Sequence, residues 1–255
     1  VTFADQGHHV WATMRTPGKS AVLNARADIH QFELDVTDST SVNAAVEHVL
    51  AEAGSIDVVV NNAGIEVYGP IHLLADDEVA RQMDTNVGGV VRVVRAVVPA
   101  MLANGGGTIV NVGSVAGLVG TPYGGIYAAS KHAVEAISEA LHFELSQQGI
   151  RVRVVEPGQF ATQLGSNGFH AAAMTSDTAE YQRRERFHVA QRSLVNGEPA
   201  PAQEVADAIY RAATEVPGVL RHPVGADAEL IIATKAAMSF EDFDTTMRAT
   251  LNWYD

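Results

Sequence analysis

The sequence predicts an α/β fold: a doubly wound parallel sheet with helices on both faces, in a single domain. Three observations carry that reading. Short β-branched runs alternate with longer amphipathic stretches along most of the 255 residues, the order that joins parallel strands through helical crossovers. The runs at 56–60 (IDVVV) and 108–112 (TIVNV) are almost continuously apolar, as strands buried on both faces are. At 47% hydrophobic and 18% charged, the chain carries enough apolar side chain for a sizeable core and does not read as disordered.

Residues 9–15 (HVWATMR) form the first strand-like run, and 29–35 form the second, which ends at the Asp35-Val36 pair. Residues 41–53 read as a helix because Val42, Ala45, Val46 and Val49 share a face, with Ser39 or Ser41 as the cap. The strand at 56–60 runs into Asn61-Asn62-Ala63-Gly64. A long helical block at 75–101 stops at Asn104-Gly105-Gly106-Gly107. After the strand at 108–112 come a helix at 127–148, stopped by Gly149, and a strand at 151–155 that ends at Pro157-Gly158. Residues 163–201 break the alternation. That polar, Ala-rich stretch is too long for a plain connection and is expected to be a substrate lid with helices of its own. A helix at 203–214 and a helical end from 225 complete the domain, 1–255.

Composition excludes several function classes. With no Cys there is no disulfide scaffold, thiolate nucleophile or Cys-ligated metal site, and a cytoplasmic protein is expected. The 17 Lys and Arg against 30 Asp and Glu give a net charge of −13, which leaves no basic face to neutralise many phosphates, so no nucleic-acid partner is expected. No apolar run reaches about 18 residues, so no membrane span is expected. The 10 His show no His-Glu-x-x-His spacing, and no metal is expected. Ser114 sits in Gly-Ser-x-x-Gly rather than the Gly-x-Ser-x-Gly of a hydrolase elbow. The basic cluster 183–186 reads as a solvated helix face, flanked by Glu180 and holding Glu185.

The residues with chemistry are Ser114, Tyr127 and Lys131. Tyr127 and Lys131 stand four apart on one helix face, and Ser114 follows a buried strand, where open α/β sheets place ligands. A phenol titrates near about 10, and a neighbouring ammonium would bring it down toward neutrality. Proton transfer to or from a carbonyl or alcohol oxygen fits such a pair. Alone, Tyr-x-x-x-Lys could be a solvated helix pair. Here Asn61 to Gly64, the polar Asn86 inside an apolar helix, and Pro157-Gly158 with Thr162 accompany it, mostly just after strand-like runs.

Together, Asn61-Asn62-Ala63-Gly64, Asn86, Ser114, Tyr127-x-x-x-Lys131 and Pro157-Gly158-x-x-x-Thr162 resemble the short-chain dehydrogenase/reductase family in order and spacing. The closest look is to hydroxysteroid- and retinol-type members. The resemblance covers residues 2–224 and implies a Rossmann-like fold, a nicotinamide cofactor, and hydride exchange with a small-molecule carbonyl or secondary alcohol. It implies Tyr127 as general acid/base and Lys131 as the residue that binds the nicotinamide ribose and lowers the tyrosine pKa. Ser114 would hold the substrate oxygen, and Asn86 would support a water in the proton relay. Asp35, Val36, Asn61, Ala63 and Gly64 would line the cofactor's course. Pro157, Gly158 and Thr162 would meet its nicotinamide end.

One departure is large. The family opens with a strand and a Thr-Gly-x-x-x-Gly-x-Gly turn that cradles pyrophosphate, whereas Thr2 to Gly7 resembles the end of the helix after such a turn. About 20 upstream residues are therefore expected on the family pattern. Without that strand, a gap or a closed-up sheet is expected between the strands at 9–15 and 56–60, together with weak cofactor binding. An inactive fragment, or a binding protein that keeps the fold without cofactor, is the alternative reading. A sugar-nucleotide epimerase also uses Tyr-x-x-x-Lys but needs a longer C-terminal domain. Arg15 ends the first run without a neighbouring carboxylate, which favours NADP, with NAD as the alternative. Helices apolar on more than one face, at 75–101 and 127–148, predict a homodimer or homotetramer.

Overall fold

The computed structural model describes residues 1–162, 164, 168–194, 199–216 and 218–253. β1 (Val10–Met14) and β2 (Ile29–Glu33) pair in parallel, Val10 opposite Ile29. β3 (Val58–Asn61), β4 (Gly107–Val112), β5 (Ile150–Pro157) and β6 (Arg221–Val224) form a second parallel sheet in the order β6-β5-β4-β3. β4 and β5 are buried along most of their length, so their Val and Ile run on without polar alternation. β6 is not among the predicted strands. Its sequence, Arg-His-Pro-Val, carries a proline that only an edge position accommodates.

The longer helices among the described residues are α1 (Ser39–Ala53), α2 (Asp76–Met83), α3 (Gly89–Ala103), α4 (Gly125–Leu145), α5 (Ala179–Leu194), α6 (Ala202–Thr214), α7 (Ala226–Ala236) and α8 (Phe240–Leu251). Val90, Val93, Val97 and Met101 of α3 meet Ile109, Ile150 and Val152 on one face of the sheet. Ala208, Ala212 and Ala213 of α6 meet Val110, Val155 and Val224 on the other. α6 packs on the strands with small alanines, and α3 with the larger Val and Met side chains. Asp38, not Ser39 or Ser41, caps α1, its carboxylate accepting the Thr40 N–H at 2.8 Å. Ser41 instead accepts the Asp35 N–H.

The predicted helical block at 75–101 is two helices joined by a π-helical turn, Asp84–Gly88, which carries Asn86. By length and composition the stretch Asp76–Ala103 could cross a bilayer, its most apolar 18-residue window reaching a mean hydropathy of 1.4. In the fold its apolar stripe from Val90 to Met101 is spent on the core.

The expected gap is present. Among the described residues, β1 bonds only to β2, and β3 only to β4. A cleft of about 1030 Å³ separates β1 from residues 56–61, and Val46, Val49, Val90 and Val93 also line it. Two strand edges therefore face each other across an apolar slot, their ladder groups unpaired by a neighbouring strand.

Candidate active site

A second cavity, of about 960 Å³, opens beyond the C-terminal ends of β4 and β5. β4 delivers Ser114 to its wall. The Ser114 backbone is extended and its Oγ accepts the Ala116 N–H at 3.2 Å, which caps a short 3-10 turn. Gly117 in that turn lies so near α4 that an added Cβ would stand 3.0 Å from the Lys131 carbonyl. The bare residue lets α4 approach, and with it Tyr127 and Lys131. Tyr127 is buried and lines the same wall as Ser114. The Lys131 Nζ donates to the Val112 carbonyl at 2.7 Å and stands 5.7 Å from the centre of the Tyr127 ring.

The electrostatics correct one expectation. Burial pushes the Tyr127 phenol up, the charge of Glu66 pushes the same way, and the Ser114 hydroxyl opposes them. Burial also pushes Lys131 down, to about 8, against the pull of Glu66 and Glu135. The lysine therefore does not bring the phenol toward neutrality in this arrangement. Both groups are removed from water, and desolvation disfavours both charged forms. Tyr127 is left as a neutral phenol, able to give a proton.

The remaining candidate residues fall into two groups. Tyr127, Lys131, Ser114, Pro157, Gly158 and Thr162 line the cavity, while Arg15, Asp35, Val36, Asn61 and Ala63 line the cleft beside β1. Asn62, Gly64 and Ile65 line both, so the two hollows meet at this loop. The Asp35 carboxylate accepts the Thr37 N–H and hydroxyl, which hold it low, and Arg15 and Arg92 add to that. Asn61 is tied into a buried ladder, its amide donating to Asn111, which donates to Ser138.

Asn86 lines neither hollow. Its amide clamps the loop from behind, accepting the Ile65 N–H at 2.9 Å and donating to the Ile65 carbonyl and Ser130 Oγ, both at 3.0 Å. Gln82, one turn earlier, holds Val67 N–H and the Ile65 carbonyl in the same manner.

Sequence reasoning missed three groups. Glu66 lines the cavity and accepts a 2.6 Å hydrogen bond from the Tyr68 hydroxyl. Arg184 is only 8% exposed and lies 4.7 Å over the Tyr68 ring, so the solvated reading of 183–186 fails at this residue. The C-terminal Leu251 and Trp253 pack on Phe187 of α5, and all three line the cavity. The signal available was Glu66-x-Tyr68 directly after the Asn61 to Ile65 loop. Behind α4, away from the cavity, Glu135 and Glu156 are buried beside Arg221. Its Nε lies 3.0 Å from Glu135 Oε2 and 3.6 Å from Glu156 Oε1.

A sequence profile described as short chain dehydrogenase matches residues 1–173. The chain belongs to the short-chain dehydrogenase family. A 3-ketodihydrosphingosine reductase of Bacteroides thetaiotaomicron is 39% identical over 178 residues, which is 70% of this chain and 64% of that protein. The chain thus spans a little under two thirds of that relative. Bovine (Bos taurus) retinol dehydrogenase 8 is 33% identical over 243 residues, 91% of this chain and 77% of that one. Among solved structures, a short-chain dehydrogenase from Streptomyces avermitilis superposes with TM-score 0.81 at 29% identity, covering 99% of this chain and 91% of that one. The closed form of a serine dehydrogenase complexed with NADP+ gives TM-score 0.74 at 26% identity, covering 89% and 88%.

As a member of this family the chain is an NAD(P)-dependent oxidoreductase. Its residues fit such a cofactor at both ends: Lys131 in the cavity, Arg15 and Asp35 in the cleft, and the loop between; Gly158 makes room for the Asp227 carboxylate, which a Cβ there would meet at 2.2 Å. No Gly-rich turn stands among the described residues to hold a pyrophosphate at the slot.

Proposed function

We propose that this protein reduces a carbonyl on a largely apolar small molecule, with NADPH as the favoured cofactor and Tyr127 as the proton donor. The observation that carries the reading is the meeting of buried Tyr127, Ser114 and Lys131 on the wall of one cavity. Burial favours the protonated phenol, and a phenol O–H beside the cavity can give its proton to a carbonyl oxygen. The nicotinamide cofactor, when bound, supplies the hydride. Ser114 orients the carbonyl oxygen toward the Tyr127 hydroxyl, and Lys131 holds the ribose and steadies the phenolate left after proton transfer. Asn86 keeps the 62–65 loop, which borders both hollows, in place.

Arg15 at the rim of the cleft supports NADPH over NADH, as do relatives solved with NADP. Phe187, Phe243, Leu251 and Trp253 on the cavity wall support an apolar substrate. Relatives named for 3-ketodihydrosphingosine and retinol are in keeping with that wall. Within the lid 163–201, α5 carries the wall residues Arg184, Phe187 and His188, so this segment sets specificity.

The experiment is Tyr127→Phe. Turnover of an aliphatic ketone with NADPH should fall by on the order of 100-fold or more, while NADPH affinity stays near that of the wild type. Turnover close to wild type would remove Tyr127 from the chemistry.

A further inference from the structure

Glu66 has no part in the proton transfer described above, yet its carboxyl faces the cavity that holds Tyr127 and Ser114. The Tyr68 hydroxyl donates to Oε2 at 2.6 Å and fixes the direction of the group. Among the described residues Oε1 accepts no hydrogen bond, and no cation lies within ion-pair distance. The two buried cations on the wall that act on Glu66 are engaged elsewhere: Arg184 pairs with Glu185 and lies over the Tyr68 ring, and Lys131 donates to the Val112 carbonyl. Gly124 is also on the wall; a Cβ there would meet Thr121 Oγ1 first, at 2.9 Å, and would stand 3.9 Å from Glu66 Oε1, an ordinary contact distance. A half-buried carboxylate with one satisfied oxygen and one open oxygen is a costly arrangement unless a donor arrives.

We propose that Glu66 determines specificity by accepting a hydrogen bond from a hydroxyl or ammonium group on the carbon next to the substrate carbonyl, while the apolar chain lies along Phe187, Leu251 and Trp253. The proposal rests on the reductase reading for the position of the carbonyl at Tyr127 and Ser114. Glu66 reaches the same centre electrically, since its charge acts on both Tyr127 and Lys131. A donor that engages Glu66 therefore also screens the phenolate that forms when Tyr127 gives its proton. Donor-bearing substrates should gain in kcat as well as in KM. Neither hydroxyl nor ammonium is consumed; each is a handle, and the atoms that change remain the carbonyl carbon, its oxygen and the Tyr127 proton.

The test compares three probes: a medium-chain aliphatic ketone, its alpha-hydroxy analogue and its alpha-amino analogue. Initial rates with NADPH give kcat/KM for each in the wild type, Glu66→Gln and Glu66→Asp. Calorimetry with the corresponding alcohol, diol and amino alcohol gives affinities that do not depend on turnover. The wild type should favour at least one donor-bearing probe by about tenfold or more, as a charge-assisted hydrogen bond would. Glu66→Gln should remove most of that ratio for the amino probe, and Glu66→Asp should keep part of it. An unchanged ratio in Glu66→Gln, in rates and affinities alike, overturns the proposal. So does a wild type that binds the plain probes best, or a Glu66→Gln protein that unfolds while Glu66→Asp keeps the wild-type fold without any donor preference. If no probe is reduced but the amino alcohol binds through Glu66, the reductase reading fails and the Glu66 assignment stands.

Discussion

Glu156 should make this protein lose stability as the pH rises from 5 toward 7.5, and Glu156→Gln should abolish most of that loss. The residue is 1% exposed, on β5 beneath α4. Glu156 Oε1 and Glu135 Oε1 are both buried without a donor among the described residues. The two carboxyls also act on each other, so a single shared proton satisfies both. Burial first, then the charge of Glu135, pushes Glu156 from 4.5 up to about 7, with Arg221 opposing. A carboxyl raised on folding stabilises fully below its unfolded pKa and loses that contribution as pH passes its folded value. The window therefore runs from about 4.5 to about 7, and at 1.36 kcal/mol per pH unit the full loss is on the order of 3 kcal/mol. Lys131, held down at about 8, adds its own dependence only above that pH. Glutamine keeps the shape and supplies a permanent N–H donor to Glu135. The assay is urea unfolding at pH 5 and pH 7.5 for wild type and Glu156→Gln. A wild type equally stable at both values would refute the shared proton, and so would a loss of the same size in both proteins.

Two more outcomes follow from the site and the surface. Arg15→Asp should shift the ratio of catalytic efficiencies from NADPH toward NADH by roughly tenfold or more, the worth of one charge-assisted contact; wild type already preferring NADH would contradict the role given to Arg15. The chain should form a homodimer or homotetramer, because Val91 of α3 and Phe143 of α4 are exposed at 38% and 78% on helices whose other faces fill the core. Light scattering at micromolar concentration checks this, and a monomer mass would reject it.

What the sequence made legible is what local chemistry controls. Val58 to Val60 and Ile109 to Val112 announce themselves because a strand covered on both faces must be apolar throughout. Tyr127 and Lys131 share a face through helix geometry alone, and Ser114 comes to them because a strand end and a bare Gly117 bring it there. The failures sit where distant packing decides. Arg184 reads as solvated until Tyr68 and the C-terminal segment close around its helix. The direction of the Tyr127 shift depends on how much water the cavity wall removes, and on Glu66, a residue that spacing gives no reason to weigh. Arg221 to Val224 goes unread as a strand because its proline is acceptable only at an edge, and being at the edge is a property of the whole sheet.

The π-helical turn at Asp84–Gly88 sets a phase relation that insertions and deletions must respect. An α-helix advances about 100° per residue, so one extra residue in that turn offsets the face of α2 from the face of α3 by about that angle. Gln82 can then point at Val67 and Ile65 while Val90 and Val93 point at the sheet. Removing one residue between 84 and 88 would restore a regular helix and swing one of the two faces away from its target. A lost residue at the exposed Asn104-Gly105 pair only shortens a connection. Aligned against relatives, this helix should therefore tolerate substitutions in its π turn more readily than a change in length.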